Sequence, residues 1–188
     1  MSGIIGASPS VRSGILGKPP IGSTIQITET VLSGRVQHNS QSFTDIGLNG
    51  IITPKFQSSH ILFSASFGRC QTTQSNLDYG VAFRVYIVGG NNSGVNNDLN
   101  GVPNGSRLAS LFVTGGMSYN ASHNFGGYTI TGLDKSSLTT AQVTYKIQAW
   151  NQNSGYPLIL NGTSNNSNDA NHYQSQTRCR VVLQEIST

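Results

Sequence analysis

The acidic and histidine side chains are the residues of this 188-residue chain that could act as catalysts or metal ligands. A glycoside hydrolase needs two carboxyl groups facing one bond, and a metal site needs several ligands at short spacing. The only local pair that suggests either is Asp169 with His172, in a polar stretch. We therefore predict a protein that is not an enzyme and has no catalytic, cofactor or metal site. The side chains considered are Glu29, Asp45, Asp78, Asp98, Asp134, Asp169, Glu185, His38, His60, His123 and His172.

Three aromatic residues near an Asn-rich segment could bind a sugar. The segment of residues 161–171 is rich in Asn and Ser. It is preceded by Trp150 and Tyr156 and followed by Tyr173. Aromatic faces beside amide side chains suit a saccharide, because the rings contact its apolar face and the amides bind its hydroxyls. The alternative is that these rings pack within the chain or between subunits. The sequence favours packing and leaves the glycan platform as a second hypothesis.

A short apolar repeat opens the chain. Residues 2–6 recur almost unchanged at residues 13–17, eleven positions later, before Pro19 and Pro20. A small, glycine-bounded peptide cannot fold alone, and the prolines favour an extended backbone. We therefore predict an anchoring arm over residues 1–22 and one domain over residues 23–188. The residues predicted to bind a partner are Ser2, Gly3, Ile4, Ile5, Gly6, Ser13, Gly14, Ile15, Leu16 and Gly17.

Composition limits the classes of protein to consider. Charged residues make up 10% of the chain and hydrophobic residues 36%, whereas soluble domains are roughly one quarter charged. The net charge of +4 is spread along the chain, which argues against a nucleic-acid partner. No apolar stretch is long enough to cross a membrane, and the N-terminus does not resemble a secretory leader. Cys70 and Cys179 are expected to be buried thiols, with a disulfide as the alternative.

Alternating apolar residues predict the strands that must position these groups. Ile61, Phe63, Ala65 and Phe67 share one face of a predicted strand. The segments 81–87 and 143–150 alternate in the same way. Residues 24–31 predict a strand with Ile25 and Ile27 facing inward and Val31 as a further candidate for the inward face. The Asn- and Gly-rich residues 89–105 are expected to form a surface loop. The pattern as a whole predicts an all-β antiparallel sandwich, in the jelly-roll manner, of about eight to ten strands with an extended N-terminal arm.

Several short motifs resemble one family. The arm, GSTIQ at residues 22–26, SFTDIGL at 42–48, ITP at 52–54 and SSHIL at 58–62 are similar to segments of short structural proteins of marine and cyanobacterial tailed phages. The segments VTYKIQ at 143–148 and VLQEI at 182–186 resemble the final strands of those proteins. Here Gly47 and Leu48 follow one residue sooner than usual, and His60 stands where lysine is usual.

The resemblance implies a trimeric β-sandwich knob of the C1q/TNF-like kind on a virion. We expect a non-enzymatic structural protein, made in the host cytoplasm and displayed on the particle surface, whose arm binds other virion proteins. A capsid decoration or head fibre is favoured over a tail fibre, because no long shaft is encoded. The alternative is a module of a tail fibre that binds a host receptor or surface glycan. A hydrolytic depolymerase is the weakest interpretation.

Overall fold

The computed structural model describes residues 19–72, 80–90, 93–96, 98–101, 110, 112–114, 126–136, 139–162 and 177–188. Within these ranges the chain forms β-strands joined by turns and no helix, which confirms the predicted all-β class. The strands are β1 Thr24–Leu32, β2 Val36–His38, β3 Thr44–Ile52, β4 His60–Thr72, β5 Val81–Val88, β6 Gly94–Val95, β7 Phe112–Thr114, β8 Gly126–Asp134, β9 Val143–Asn151, β10 Leu158–Leu160 and β11 Cys179–Ile186.

The strands form two antiparallel sheets. Sheet A contains β1, β2, β4, β8, β10 and β11, and sheet B contains β3, β5, β6, β7 and β9. Three positions in the sheets are each filled by two strands. β10 and β11 both pair with β4, and β2 and β1 pair with them in turn, so each of these two pairs occupies one position. β6 and β7 both pair with β5 and occupy a third. With each pair counted once, the order is 1-8-3-6 in sheet A and 2-7-4-5 in sheet B. This order is that of a jelly roll.

The core lies between the two sheets and follows the predicted alternation. Ile61, Phe63, Ala65 and Phe67 of β4 are all buried, as are the odd-numbered residues of β5 and β9. The Phe67 ring lies 5.0 Å from the ring of Phe83, which joins sheet A to sheet B. Burying each such side chain contributes about 1.5–3 kcal/mol. Period-two alternation is therefore sufficient to assign the inward faces of the central strands.

Two strand positions of sheet A are interrupted at the same level. The break between β1 and β2 lies beside the break between β10 and β11, because β1 pairs with β11 and β2 with β10. Asn161, at the second break, has a positive φ of 59° and a fully buried side chain. Its Nδ2 donates to the carbonyls of Leu32, at 2.6 Å, and Gly34, at 3.1 Å. One amide therefore satisfies the backbone where both strand positions break.

Both cysteines are buried free thiols, as predicted. The Cys179 thiol donates a hydrogen bond to Oδ1 of Asn161, at 2.9 Å. Burial, together with the proximity of Cys179, raises the pKa of Cys70 to about 12. A thiol with so high a pKa stays protonated at neutral pH and acts as a small core residue.

The prediction for the inward face of β1 was wrong. Ile27 and Val31 are 59% and 40% exposed on the outer face of sheet A, although the alternation suggested that they point inward. The register of β1 with β11 shifts between Thr24 and Gln26. A register shift moves side chains to the opposite face of the sheet. The pattern of β1 therefore had the right period and the wrong phase.

The Asn-rich segment that follows β5 contributes to the core, contrary to the prediction of a simple surface loop. Leu99 is buried within the hydrophobic core. The Asn100 side chain pairs with β5 like a strand residue, since Oδ1 accepts from the Val85 N–H and Nδ2 donates to the Val85 carbonyl, both at 2.8 Å. The Asn100 amide thus takes the place of a neighbouring strand's backbone beside Val85. The composition of the segment did not predict this pairing.

Candidate functional site

The predicted site residues lie in different parts of the chain. The ten repeat residues of the arm and Tyr173 fall outside the described residues. Trp150 lies half-buried on the outer face of β9, and Tyr156 is 42% exposed in the turn that follows. Among the described residues no ring contact joins Trp150 to Tyr156. The structure places both aromatic residues in one region without bringing their rings together.

The start of the domain is fixed at one end of the sandwich. The Gly22 N–H donates to the Ser187 carbonyl, at 2.8 Å, and the Ser187 N–H donates to the carbonyl of Ser23, at 2.9 Å. The Ser187 hydroxyl also donates to the carbonyl of Pro19, at 3.0 Å. We call this the proximal end, where β1 begins and β11 ends. Residues 19–23 are therefore held at a defined position where the chain joins the sandwich.

Other connections belong to the opposite, distal end. The strand pairing places five strand ends there. β4, β7 and β9 end there, at Thr72, Thr114 and Asn151, and β5 and β8 begin there, at Val81 and Gly126. Nine-residue strands such as β1 separate the two ends by roughly 30 Å. Asn151 fixes the turn that carries Tyr156, because its Nδ2 donates to the Tyr156 carbonyl at 2.8 Å. Trp150 and Tyr156 thus lie at the distal end, away from the start of the domain.

A connected group of polar and aromatic side chains covers the outer face of sheet B. Arg84 donates through Nε to Oε1 of Gln148, at 2.8 Å, and its guanidinium carbon lies 4.2 Å from the centre of the Phe43 ring. Nε2 of Gln148 donates in turn to Oδ1 of Asp45, at 2.8 Å. We call this group the Arg84 cluster, and its members are Phe43, Asp45, Arg84, Tyr86, Lys146 and Gln148.

The charges of the Arg84 cluster are distributed unequally. Lys146 Nζ lies 2.7 Å from Oδ2 of Asp45, so these two side chains form an ion pair. Partial burial raises the pKa of Asp45, but the hydrogen bonds from Lys146 and Gln148 outweigh that effect and hold the pKa below its ordinary value. Arg84 contacts the neutral amide of Gln148 rather than a carboxylate. Its positive charge is therefore the one that the cluster leaves without an acidic partner.

Trp150 extends this face toward the distal end. It follows Gln148 by two residues on β9, and Ala82 lies opposite it on β5. Side chains two residues apart on a strand point to the same side and lie roughly 7 Å apart. The indole N–H makes no hydrogen bond within the described part of the chain. Trp150 therefore offers an apolar ring, and a donor that no described residue uses, on the same face of sheet B as Arg84.

Two buried carboxyl groups have structural partners rather than the arrangement of a catalytic pair. Glu185 accepts hydrogen bonds from the backbone N–H groups of Lys55, at 2.8 Å, and Phe56, at 3.0 Å. Asp134 accepts a hydrogen bond from the hydroxyl of Tyr145, at 2.7 Å. Burial, and then the adjacent Asp134, raise the pKa of Tyr145. These carboxylates hold a turn and a core phenol in place.

Sequence reasoning missed the Arg84 cluster, although a signal for it was present. The alternation of β5 placed Arg84 and Tyr86 on the outward face correctly, and the alternation of β9 did the same for Gln148. What the sequence did not provide was the neighbour relationship of β3, β9 and β5 in sheet B. That order brings Asp45, Gln148 and Arg84 into one row across three strands.

The described residues contain no group of three or more His, Cys, Asp or Glu side chains that could hold a metal ion. They also contain no helix that is long and apolar enough to cross a membrane. In the comparisons with known proteins, the chain matched no protein-family model and no curated protein.

Proposed function

We propose that this protein is a non-enzymatic structural component of a phage virion. The arm of residues 1–22 binds another particle protein, and the jelly roll is displayed on the particle surface as a capsid decoration or head fibre. The observation that carries this proposal is the fixed start of the domain at the proximal end, where Ser187 holds Pro19 and Gly22. An arm that begins there leaves the distal end, with Trp150 and Tyr156, free to face outward.

The arm contains enough apolar surface for a moderate anchor. Ile4, Ile5, Ile15 and Leu16 together would contribute roughly 6–12 kcal/mol if buried, at about 1.5–3 kcal/mol each. Ordering an extended peptide also costs conformational entropy, which offsets much of that gain. A single arm therefore binds modestly. Several arms on one oligomer bind far more tightly, because the second and third contacts become intramolecular.

The composition of the outer face of sheet A supports self-association, and the family resemblance implies that the oligomer is a trimer. Its outward side chains include the exposed Ile27 and Val31 of the edge strand β1 and the half-buried Val182 of β11. Where β11 pairs with β1 and β4, this face has one acid and one base, and Glu29 lies 3.2 Å from Arg180. Such a charge-poor surface, with an apolar centre, has the composition of a subunit interface.

A charge placed on sheet A tests the trimer. We expect the full chain to have three times its 20.0 kDa monomer mass by light scattering, and the Val182→Lys variant to have the monomer mass. The new ammonium group would be solvated in the monomer but desolvated at the interface. Thr144→Lys, the same charge on the outer face of sheet B, is the matched control and should stay trimeric. A monomeric wild type, or a trimeric Val182→Lys variant, would contradict this interface.

A charge in each repeat of the arm tests the anchor. We expect a variant with Ile4→Asp and Ile15→Asp to be lost from purified particles, because it cannot bury two carboxylates in an apolar site. Its domain should unfold at the wild-type temperature, since both substitutions precede the first strand, which begins at Thr24. The control carries Ser8→Asp and Ser10→Asp, which adds equal charge without removing apolar side chains. Normal incorporation of the Ile variant would refute arm-mediated anchoring.

A further inference from the structure

The Arg84 guanidinium is immobilised on the outer face of sheet B. A hydrogen bond fixes Nε on Gln148, the Phe43 ring lies 4.2 Å from the guanidinium carbon, and the Tyr86 ring lies 5.8 Å away. Gln148 is itself fixed by its bond to Asp45. An arginine normally loses side-chain entropy when it binds a ligand, and here that loss has already occurred on folding.

No described residue uses the terminal Nη groups of this arginine. Arg84 makes no other hydrogen bond or ion pair with the described residues, so both Nη atoms keep their donors. Lys146 differs, since it is neutralised by Asp45, and so does Arg180, which pairs with Glu29. Burial lowers the pKa of Arg84, yet a guanidinium remains protonated at neutral pH. The face thus presents a fixed planar cation with its paired donors pointing away from Gln148.

The surroundings of this cation suit a sugar ring. The half-buried Trp150 lies on the same face, one side chain beyond Gln148 along β9, and its indole N–H is unused in the described part of the chain. A ring of this kind offers an apolar surface to the C–H face of a saccharide and a donor to a hydroxyl. The hydroxyl of Tyr86 is also without a partner among the described residues.

We infer that the Arg84 face binds an acidic saccharide, with the sugar carboxylate on the two Nη atoms of Arg84 and the pyranose ring against Trp150. Arginine binds carboxylates through two parallel hydrogen bonds, which is the geometry that the free Nη atoms offer. A neutral sugar would leave the cation unpaired, and a simple acidic peptide would not use the indole ring. The inference goes beyond the display role, but it needs the outer face of sheet B to remain free when sheet A forms the trimer.

The experiment titrates the full chain by calorimetry with the linear trisaccharide of galacturonic acid and with its carboxyl-reduced counterpart. We expect the acidic trisaccharide to bind at least about tenfold more tightly than the reduced one, because charge-assisted pairs are the strong ones. Arg84→Lys keeps the charge but loses the bidentate fork, and should weaken binding about tenfold. Trp150→Ala should weaken binding of the acidic trisaccharide by a similar factor.

Matched controls separate this site from general attraction to a basic protein. Lys55→Gln removes an exposed cation from the turn between β3 and β4, outside both the Arg84 cluster and the proposed trimer face, and should leave the affinity unchanged. The unfolding temperature of each variant is compared with that of the wild type, so that a loss of binding is not mistaken for a loss of folding. Equal binding of both trisaccharides or equal weakening by Lys55→Gln would overturn the inference. Equally tight binding of triglutamate, or no binding at millimolar concentration, would overturn it as well. None of these results affects the arm, whose test measures particle incorporation.

Discussion

The Glu185→Ala variant is expected to lose about 2–6 kcal/mol of free energy of unfolding. Glu185 is completely buried, and its carboxylate accepts the backbone N–H groups of Lys55 and Phe56. Removal leaves two fixed donors without a partner, and each buried unsatisfied donor costs about 1–3 kcal/mol. Gln26, which donates to the same carboxylate at 2.6 Å, also loses this acceptor. Urea denaturation of the variant and the wild type measures the difference.

Two comparisons assign this loss to the buried hydrogen bonds. Glu185→Gln keeps one oxygen in place and should cost less than alanine. Glu29→Ala removes a carboxylate of the same sheet that is partly exposed and paired with Arg180, so it should cost at most about 1 kcal/mol. If Glu185→Ala were no more destabilising than Glu29→Ala, Glu185 would not be holding the turn between β3 and β4.

The Asn161→Ala variant is expected to lose about 3–8 kcal/mol of free energy of unfolding. It removes the two hydrogen bonds that the amide donates to the Leu32 and Gly34 carbonyls, and the acceptor of the Cys179 thiol. Buried carbonyl groups without a donor cost about 1–3 kcal/mol each. Alanine is also strained at the positive φ of this position, which costs about 1–2 kcal/mol more. The same denaturation measurement applies.

Asn161→Gly separates the backbone contribution from the side-chain contribution. Glycine adopts a positive φ without strain but makes no side-chain hydrogen bond. Its free energy of unfolding should lie between those of the wild type and Asn161→Ala. A wild-type value for Asn161→Gly would show that the amide contributes nothing, and equal values for glycine and alanine would remove the strain from the explanation.

The central strands could be predicted from sequence because both of their faces are constrained. Phe63 and Phe83 alternate with outward polar residues, and only one phase of that alternation buries them. The edge strand β1 has a weaker constraint, since Thr28 and Thr30 fill its inner positions as well as Ile27 and Val31 could. The bulge between Thr24 and Gln26 then placed Thr28 and Thr30, rather than Ile27 and Val31, on the inner face.

The candidate site could be predicted only in part. Alternation gave the outward direction of Arg84 and Trp150, but not their neighbours, because strand order depends on contacts between residues far apart in the chain. Gln148 meets Asp45 across 103 positions of sequence. The burial of Asn161 could not be predicted either, since an asparagine in an Asn- and Ser-rich stretch is typical of an ordinary surface turn. Its role arises only where two interrupted strand positions meet.

The paired interruptions of sheet A have an evolutionary consequence. β10 and β11 are each held by their own pairing with β4, so the pairing itself fixes the register of each strand. A change in the length of the connection between them would leave both pairings with β4 in place. Related proteins could therefore diversify the length and sequence of this segment rapidly under selection, as antigens and receptor-binding loops do, while inheriting an unchanged scaffold.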